Sequence, residues 1–421
     1  MVIKINEKIR RMLVEFNPFW KGKHEFAYVE REIYKKISKR MGERQIIALC
    51  GLRRVGKSTL LNKIISDLLK TNPPDSIMYF SFDDFAGGEL LEIIDEFMAM
   101  HGREPKFLLL DEVQKLGNWA EKVKVLYDSG KYRIFASGSE SLFLLEGSRE
   151  SLAGRIYEFE VEALSFAEYL KFRGKEGLAK KPLVYDAELR AEFEGYVMCA
   201  GFPEIIGKKD AALVRDYIKD SVVEKIVFKD MKKLYPIENP QILISMLNIL
   251  ADNPGMVVDF DSFSRELGIS RQTVSKYFDY LERAHLVKKL YNFSRNRATS
   301  EKRLKKYYPS FLSPALSGHG GEEYFSKLVE AVCILRSGAK YFWRDKRKNE
   351  IDMILAGAKG IMPVEIKYRA KPERENALVL FCKKYKCKKA MVITKNFRKK
   401  VSKPIKLEYM PVYEFLLGKG N

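Results

Sequence analysis

Cysteine is scarce in this chain. Its 421 residues hold five, Cys50, Cys199, Cys333, Cys382 and Cys387, and no two form a C-x-x-C pair. That spacing excludes a zinc ribbon and a disulfide framework, and the apolar neighbours of most of them mark reduced core thiols. Long apolar runs are missing as well. No stretch approaches the roughly 20 apolar residues of a membrane span, and the opening MVIKINEKIRRMLVEFN lacks the apolar core of a signal peptide. A cytoplasmic protein with no membrane partner is expected. Internal repeats and low-complexity tracts are absent too. Acid is in deficit: Lys and Arg total 76 against 56 Asp and Glu, a formal charge of +20. Such a balance fits a polyanionic partner, with nucleic acid first among them, or else a Lys- and Glu-rich surface of the heat-adapted kind.

What is present divides the chain into four stretches. The chain is 46% hydrophobic and 31% charged, enough to bury real cores, and its length suits two to four domains. Residues 1–165 alternate apolar strand candidates (IIALC, SIMYFSF, FLLLDE, YRIFASG) with helical segments (LLNKIISDLLK, LLEIIDEFMAM), the pattern of a parallel sheet covered by helices. Residues 166–235 carry helical periodicity. Residues 236–308 hold three helical segments and a basic, β-prone tail. Residues 309–421 return to α/β character. The fold class expected is α/β: a P-loop NTPase sheet, a helical lid, a winged helix-turn-helix and a smaller α/β domain.

GLRRVGKS at 51–58 fits G-x-x-x-x-G-K-[ST] between a strand and a helix, which is the context a P-loop requires. Gly51 and Gly56 let the backbone wrap phosphates, whose charge meets loop N–H groups and a helix N-terminus. Lys57 would reach the β- and γ-phosphates and the Ser58 hydroxyl would ligate Mg²⁺. Arg53, Arg54, Val55 and Thr59 complete the nucleotide-binding set. FLLLDE at 107–112 ends an apolar strand in two carboxylates. Asp111 is expected in the Mg²⁺ shell and Glu112 as the general base for the attacking water. SIMYFSF lies between the two motifs and is expected to be the strand that separates them in the sheet. Ser137 or Ser139, at the end of YRIFASGSES, would touch the γ-phosphate. No G-protein-like base-reading motif is evident, which favours ATP over GTP.

These residues, with SLAGRIYEFEVEALSFAEYL at 151–170 and GFPE at 201–204, resemble archaeal and bacterial P-loop ATPases related to the AAA+ and STAND groups, of the archaeal type called the MNS clade. The resemblance covers most of the chain. It implies Mg²⁺-dependent ATP hydrolysis and work as a homo-oligomer. It places Gly201 and Pro203 near the adenine and makes Arg155 a γ-phosphate sensor or arginine finger. Arg53 and Arg54 could serve a neighbouring subunit; for all three arginines a solvated or ion-paired role is the alternative. A nucleotide-contacting Gly-Arg-Glu-like motif before the P-loop corresponds to VEREI, with Glu30 in place of the glycine and Arg31 in place of the arginine.

FDSFSRELGISRQTVSKYFDYLERAHLVKKLY at 260–291 reads as a winged helix-turn-helix. Phe263 and Leu267 form one apolar face, Gly268 permits the turn, and Ser270 caps the second helix. Val274, Phe278 and Leu281 form a core stripe, leaving Arg271, Gln272, Ser275 and Lys276 where readers of the major groove keep their contacts. Arg283–Tyr307 holds nine Lys or Arg against one Glu, with aromatics beside them, as a nucleic-acid wing would. Packing on the nucleotide lid is the structural alternative.

PVEIKY at 363–368 puts Glu365 and Lys367 on one face of a strand. Asp352 lies in the preceding strand candidate IDMIL, across an AGAKG turn, and Glu330 sits in the apolar helix YFSKLVEAVCILR. Asp352 and Glu365, with or without Glu330, could hold Mg²⁺ or Mn²⁺, and Lys367 could position a water or stabilise developing charge. The order resembles the PD-(D/E)XK nuclease fold, with Ile351 where a proline is usual. A retained scaffold and a surface Glu365–Lys367 ion pair are the alternatives. The functional expectation is an ATP-hydrolysing protein that couples nucleotide state to DNA binding or metal-dependent DNA cleavage. A nucleotide-dependent oligomeric switch or scaffold without nuclease action stands second, and a sequence-specific transcription regulator third.

Overall fold

Five short segments of the first unit pair into one sheet: β1 Ile46–Cys50, β2 Ile77–Ser81, β3 Phe107–Asp111, β4 Arg133–Gly138 and β5 Ile156–Glu160, the last a half-exposed edge strand. The computed structural model describes residues 6–83, 85, 89–138, 151–302, 304–316, 321–357, 360–369 and 375–418. The chain divides into two units, Met1–Glu162 and Ala163–Asn421.

The first sheet runs β2-β3-β4-β1-β5, every pair parallel. Every residue of β1 and β3 is buried, as strands with helices on both faces must be. Helices Glu7–Phe16, Lys57–Leu68, Leu90–His101 and Trp119–Asp128 lie in this unit. Ile9, Leu13, Phe80, Phe97, Leu108, Leu110 and Trp119 share one core. The strand between the P-loop strand and β3 is β4, not SIMYFSF, which forms β2 at the sheet edge. Parallel strands need crossovers, so chain order does not set spatial order, and the chain returns after β3 to insert β4. The edge at β2 is closed by a side chain. The buried Asn17 amide accepts from Tyr79 N–H at 2.8 Å and donates to Tyr79 O at 2.8 Å, while Trp20 Nε1 donates to Ile77 O at 3.0 Å.

The second unit begins with helices Phe166–Phe172 and Asp186–Met198, followed by the helix Ala211–Asp216, which continues through π-helical turns to Leu234. No strand occurs between 166 and 235. Next come helix Pro240–Asp252, β6 Val257–Val258, helices Phe260–Leu267 and Arg271–Arg283, and antiparallel strands β7 Val287–Asn292 and β8 Lys305–Pro309. After the helix Glu322–Ser337 follow β9 Tyr341–Arg344, β10 Glu350–Gly357, β11 Gly360–Lys367, helix Asn376–Tyr385, β12 Lys389–Thr394, β13 Lys399–Val401 and β14 Lys406–Pro411. All nine strands join one mixed sheet, β13-β14-β12-β11-β10-β9-β7-β8-β6. The sheet therefore passes through the 308/309 boundary: Tyr291 and Asn292 of β7 pair in parallel with Tyr341 and Phe342 of β9, and Phe293 packs with Trp343, Leu378 and Phe381. Among the described residues no helix is long and apolar enough to cross a membrane, and all five cysteines are free thiols.

Candidate nucleotide site and carboxylate cluster

The loop after β1 is shaped by two glycines. Gly51 has φ +140°, and a Cβ there would lie 2.3 Å from Val161 O; Gly56, at φ +97°, stands at the start of helix Lys57–Leu68. No side chain fits the first position, and the backbone is free to approach a ligand. The helix end presents N–H groups without intrahelical partners, an anion seat. Lys57 is buried, and its ammonium donates to Gly51 O at 3.0 Å and Leu52 O at 2.9 Å. Burial lowers its pKa, against the pull of Glu112 and Asp111. Ser58 and Thr59 are exposed on the first turn, Val55 is buried, Arg53 half-buried, and Arg54 exposed in a left-handed conformation at φ +67°.

Arg31 is part of this loop's frame. Its guanidinium is buried and donates to Val55 O at 2.8 Å and Glu162 O at 2.8 Å. Two carbonyls distant in sequence are thereby tied on either side of the loop. The sequence offered Arg31 only through the VEREI resemblance; a buried arginine aimed at backbone carbonyls leaves no periodic signal.

The carboxylates sit at the end of β3. Asp111 is buried; its Oδ2 accepts from the Tyr79 hydroxyl at 2.8 Å, and its Oδ1 accepts from the Ser137 hydroxyl and, at 3.1 Å, from Glu112 N–H. Glu112 adopts φ +52°, and its Oε2 accepts from the Gln114 amide at 2.6 Å. Tyr79 and Gln114, absent from the sequence expectation, orient the two acids. Ser137 also accepts from Glu112 N–H at 3.3 Å and so bridges β3 and β4. Ser139 lies outside the described residues. Arg155 stands apart from the loop of its own unit. Its carbonyl accepts from Ile46 N–H at 2.8 Å, which puts it at the N-terminal end of the parallel β1 and β5. The P-loop follows the opposite end, roughly 16 Å away by strand rise. Arg155 pairs with Asp128 at 3.0 Å and does not reach nucleotide in its own unit.

In the second unit, Gly201 (φ +76°) accepts from Leu164 N–H at 2.9 Å, and Pro203 opens a short 3₁₀ turn. Gly268 ends helix Phe260–Leu267 in the left-handed region, and the Ser270 hydroxyl caps the next helix by accepting from Thr273 N–H at 3.0 Å. Arg271, Gln272, Ser275 and Lys276 are exposed, with Arg271 also 3.1 Å from Asp261.

The carboxylate cluster gathers around the β10–β11 pair. Glu365 Oε1 pairs with Lys367 Nζ at 2.9 Å, while Glu365 Oε2 is buried without a hydrogen-bond partner. Asp352 Oδ2 accepts from Ile366 N–H at 2.7 Å. Glu330 is taken by residues the sequence did not single out: its Oε1 accepts from the Tyr308 hydroxyl at 2.8 Å and lies 3.6 Å from Lys306 Nζ. Lys306 is 6% exposed and also contacts Glu350 Oε1 at 2.5 Å. Burial, then the charges of Glu365 and Glu330, push the Asp352 carboxyl well above its usual range; burial likewise raises Glu365 against the pull of Lys367. A three-carboxylate set that includes Glu330 is not found: among the described residues no three His, Cys, Asp or Glu side chains are grouped to hold an ion. Lysine and tyrosine occupy the Glu330 acceptor instead.

Residues 43–170 match the family model of an AAA domain. The first unit carries an AAA-type P-loop fold. Residues 190–312 and 332–414 match two domains of unknown function, DUF8612 and DUF4143. The chain is 29% identical over 280 residues to the uncharacterized protein MJ1544 of Methanocaldococcus jannaschii, a match spanning 64% of this chain and 62% of that one. It is 27% identical over 359 residues to an uncharacterized protein of Haemophilus influenzae, spanning 81% and 87%. Among solved structures, Orc1 of Aeropyrum pernix in complex with DNA superposes with TM-score 0.33 and 12% identity over 73% of this chain and 93% of that one. AMPPCP-bound DnaA of Aquifex aeolicus gives 0.30 and 19%, over 63% and 92%.

The donor set of the AAA domain fits a nucleotide with Mg²⁺. The Gly51 cradle has no space for a side chain, Ser58 offers a hydroxyl on the first helical turn, and Asp111 lies at the end of β3, the strand next but one. Hard oxygen ligands of this kind suit Mg²⁺.

Proposed function

We propose that this chain is a Mg²⁺-dependent ATPase whose nucleotide state governs how its second unit holds DNA. The observation that carries the ATPase part is the acid pair Asp111–Glu112, oriented by Tyr79, Ser137 and Gln114 on the strand next but one to the P-loop strand. The loop N–H groups after Gly51 bind the phosphates. Lys57 exchanges its two carbonyl acceptors for β- and γ-oxygens. Ser58 and Asp111 would hold the Mg²⁺, which supplies positive charge to the phosphate oxygens. Glu112 accepts the proton of the attacking water, and the Gln114 amide fixes the carboxylate's direction. Ser137, hydrogen-bonded to both acids, carries the loss of the γ-phosphate into β4. Arg53, Arg54 and Arg155 are candidates to face the nucleotide of a neighbouring copy in a homo-oligomer.

The DNA part rests on charge placed on surfaces of the second unit. The winged helix-turn-helix leaves Gln272, Ser275 and Lys276 open near the start of its second helix, where a major-groove reader keeps its contacts. A groove of about 820 Å³ is lined by Arg344, Lys346, Arg347 and Lys384 with Trp343. Such a row of cations suits a phosphodiester strand. The test is fluorescence anisotropy of labelled duplex at physiological salt with ATP, ADP or no nucleotide, on wild type and Lys57→Ala. Affinity that changes with nucleotide in wild type alone supports the proposal. Binding indifferent to nucleotide removes the coupling, and absence of binding removes DNA.

A further inference from the structure

We infer that Lys306 is the resident cation of the carboxylate cluster and that, in place, it excludes a divalent metal ion from it. The inference stands independently of the ATPase proposal, since every residue involved belongs to the second unit.

Lys306 comes from β8, beside the helix-turn-helix, whereas the acids come from helix Glu322–Ser337 and strands β10 and β11. Its register partners are Leu290 on β7 and Val257 on β6, so its backbone is fixed from both sides. The side chain is enclosed, with Nζ 5.4 Å from the centre of the Phe342 ring, 2.5 Å from Glu350 Oε1 and 3.6 Å from Glu330 Oε1. A buried ammonium persists only with carboxylates to meet it, and here two acids from different elements do so. Arg344 adds a second cation 3.5 Å from Glu350 Oε2.

Tyr308, two residues on along the same strand, donates to Glu330 Oε1 at 2.8 Å. Its ring is held against Gly255, where a Cβ would come within 2.6 Å of it. Glu330 is thus committed to β8 by two side chains. The remaining acids are Asp352, whose Oδ2 is spent on Ile366 N–H, and Glu365, whose Oε1 is spent on Lys367. Mg²⁺ and Mn²⁺ need several oxygens arranged around one point. A divalent ion among these acids would also stand beside a buried ammonium, where like charges repel strongly because little water screens them. The unpartnered Glu365 Oε2 marks where an ion would enter once Lys306 is gone.

The experiment uses the full chain without nucleotide and reads bound Mn²⁺ by electron paramagnetic resonance, in wild type, Asp352→Asn, Lys306→Met, Lys306→Arg and the double variant Lys306→Met/Asp352→Asn. We expect wild type and Lys306→Arg to show no Mn²⁺ site that Asp352→Asn removes. We expect Lys306→Met to gain one saturable site, lost again in the double variant. An Asp352-dependent Mn²⁺ site in wild type overturns the inference, as does a folded Lys306→Met that gains none. Should Lys306→Met fail to fold, wild type and Lys306→Arg decide: no Asp352-dependent site in either sustains the inference, and such a site in either overturns it.

Discussion

At the residue scale, the AAA site is an arrangement of groups already satisfied by one another. Lys57 rests on Gly51 and Leu52 carbonyls, so phosphate binding replaces two neutral acceptors with charged ones and gains from the exchange. Lys57→Ala is expected to abolish ATP and ADP binding measured by isothermal titration. Glu112→Gln keeps its size and its contact with Gln114 but cannot take a proton. It should bind ATP normally and hydrolyse it about 10²–10⁴-fold more slowly in a phosphate-release assay. Asp352 gives a pH prediction. Its carboxyl is raised above the unfolded value by burial first, then by Glu365 and Glu330. A group of that kind contributes stability fully present below the unfolded pKa of about 4 and lost as pH rises through the folded value. Asp352→Asn should therefore flatten the fall in melting temperature of the second unit from mildly acidic pH toward neutral, because its amide oxygen still accepts from Ile366 N–H without titrating. An unchanged slope would show that Asp352 titrates as an ordinary carboxylate.

At the element scale, the question is how each sheet ends. Strand β2 has no neighbour on one side, and Asn17 supplies the missing donor and acceptor for Tyr79. Asn17→Ala leaves both part-buried backbone groups without that partner, at up to about 1–3 kcal/mol each. The expected outcome is a clear drop in the first unit's melting temperature by calorimetry, with the second unit's transition unmoved. The motifs of the elements were legible in the sequence: GLRRVGKS, FLLLDE and the Gly268–Ser270 turn each carry a local chemical reason for their residues. Their neighbours were not. The sequence does not reveal that β4 inserts between β1 and β3, that β7 reaches β9, or that Arg155 precedes β5 at the end away from the P-loop. Edge pairing is decided by which apolar faces meet across tens of residues, and periodicity records only the face. The same holds for Lys306: in KRLKKYY it is one basic residue among several, and only the strand register selects which of them turns inward.

At the scale of the whole molecule, the +20 charge has to be divided between surfaces. A polyanion held by phosphate contacts releases counterions, so its affinity falls with salt in proportion to the contacts made, by roughly 0.9 in the log–log slope per phosphate. Two surfaces compete for that role, the second helix of the helix-turn-helix with Lys276 and the groove with Lys346 and Arg347. Charge reversal separates them. If duplex is tracked along the groove, Lys346→Glu with Arg347→Glu should lower affinity for all sequences and reduce the slope by about two, one per phosphate contact removed. Lys276→Glu would then lower it less. If the helix reads bases, Gln272→Ala should lower discrimination between duplexes by about 1–3 kcal/mol while leaving the slope nearly unchanged. Anisotropy titrations of two unrelated duplexes, each at several salt concentrations, distinguish these outcomes. Equal loss from both charge reversals would mean that the basic surface acts as a diffuse field, with no defined path for the strand.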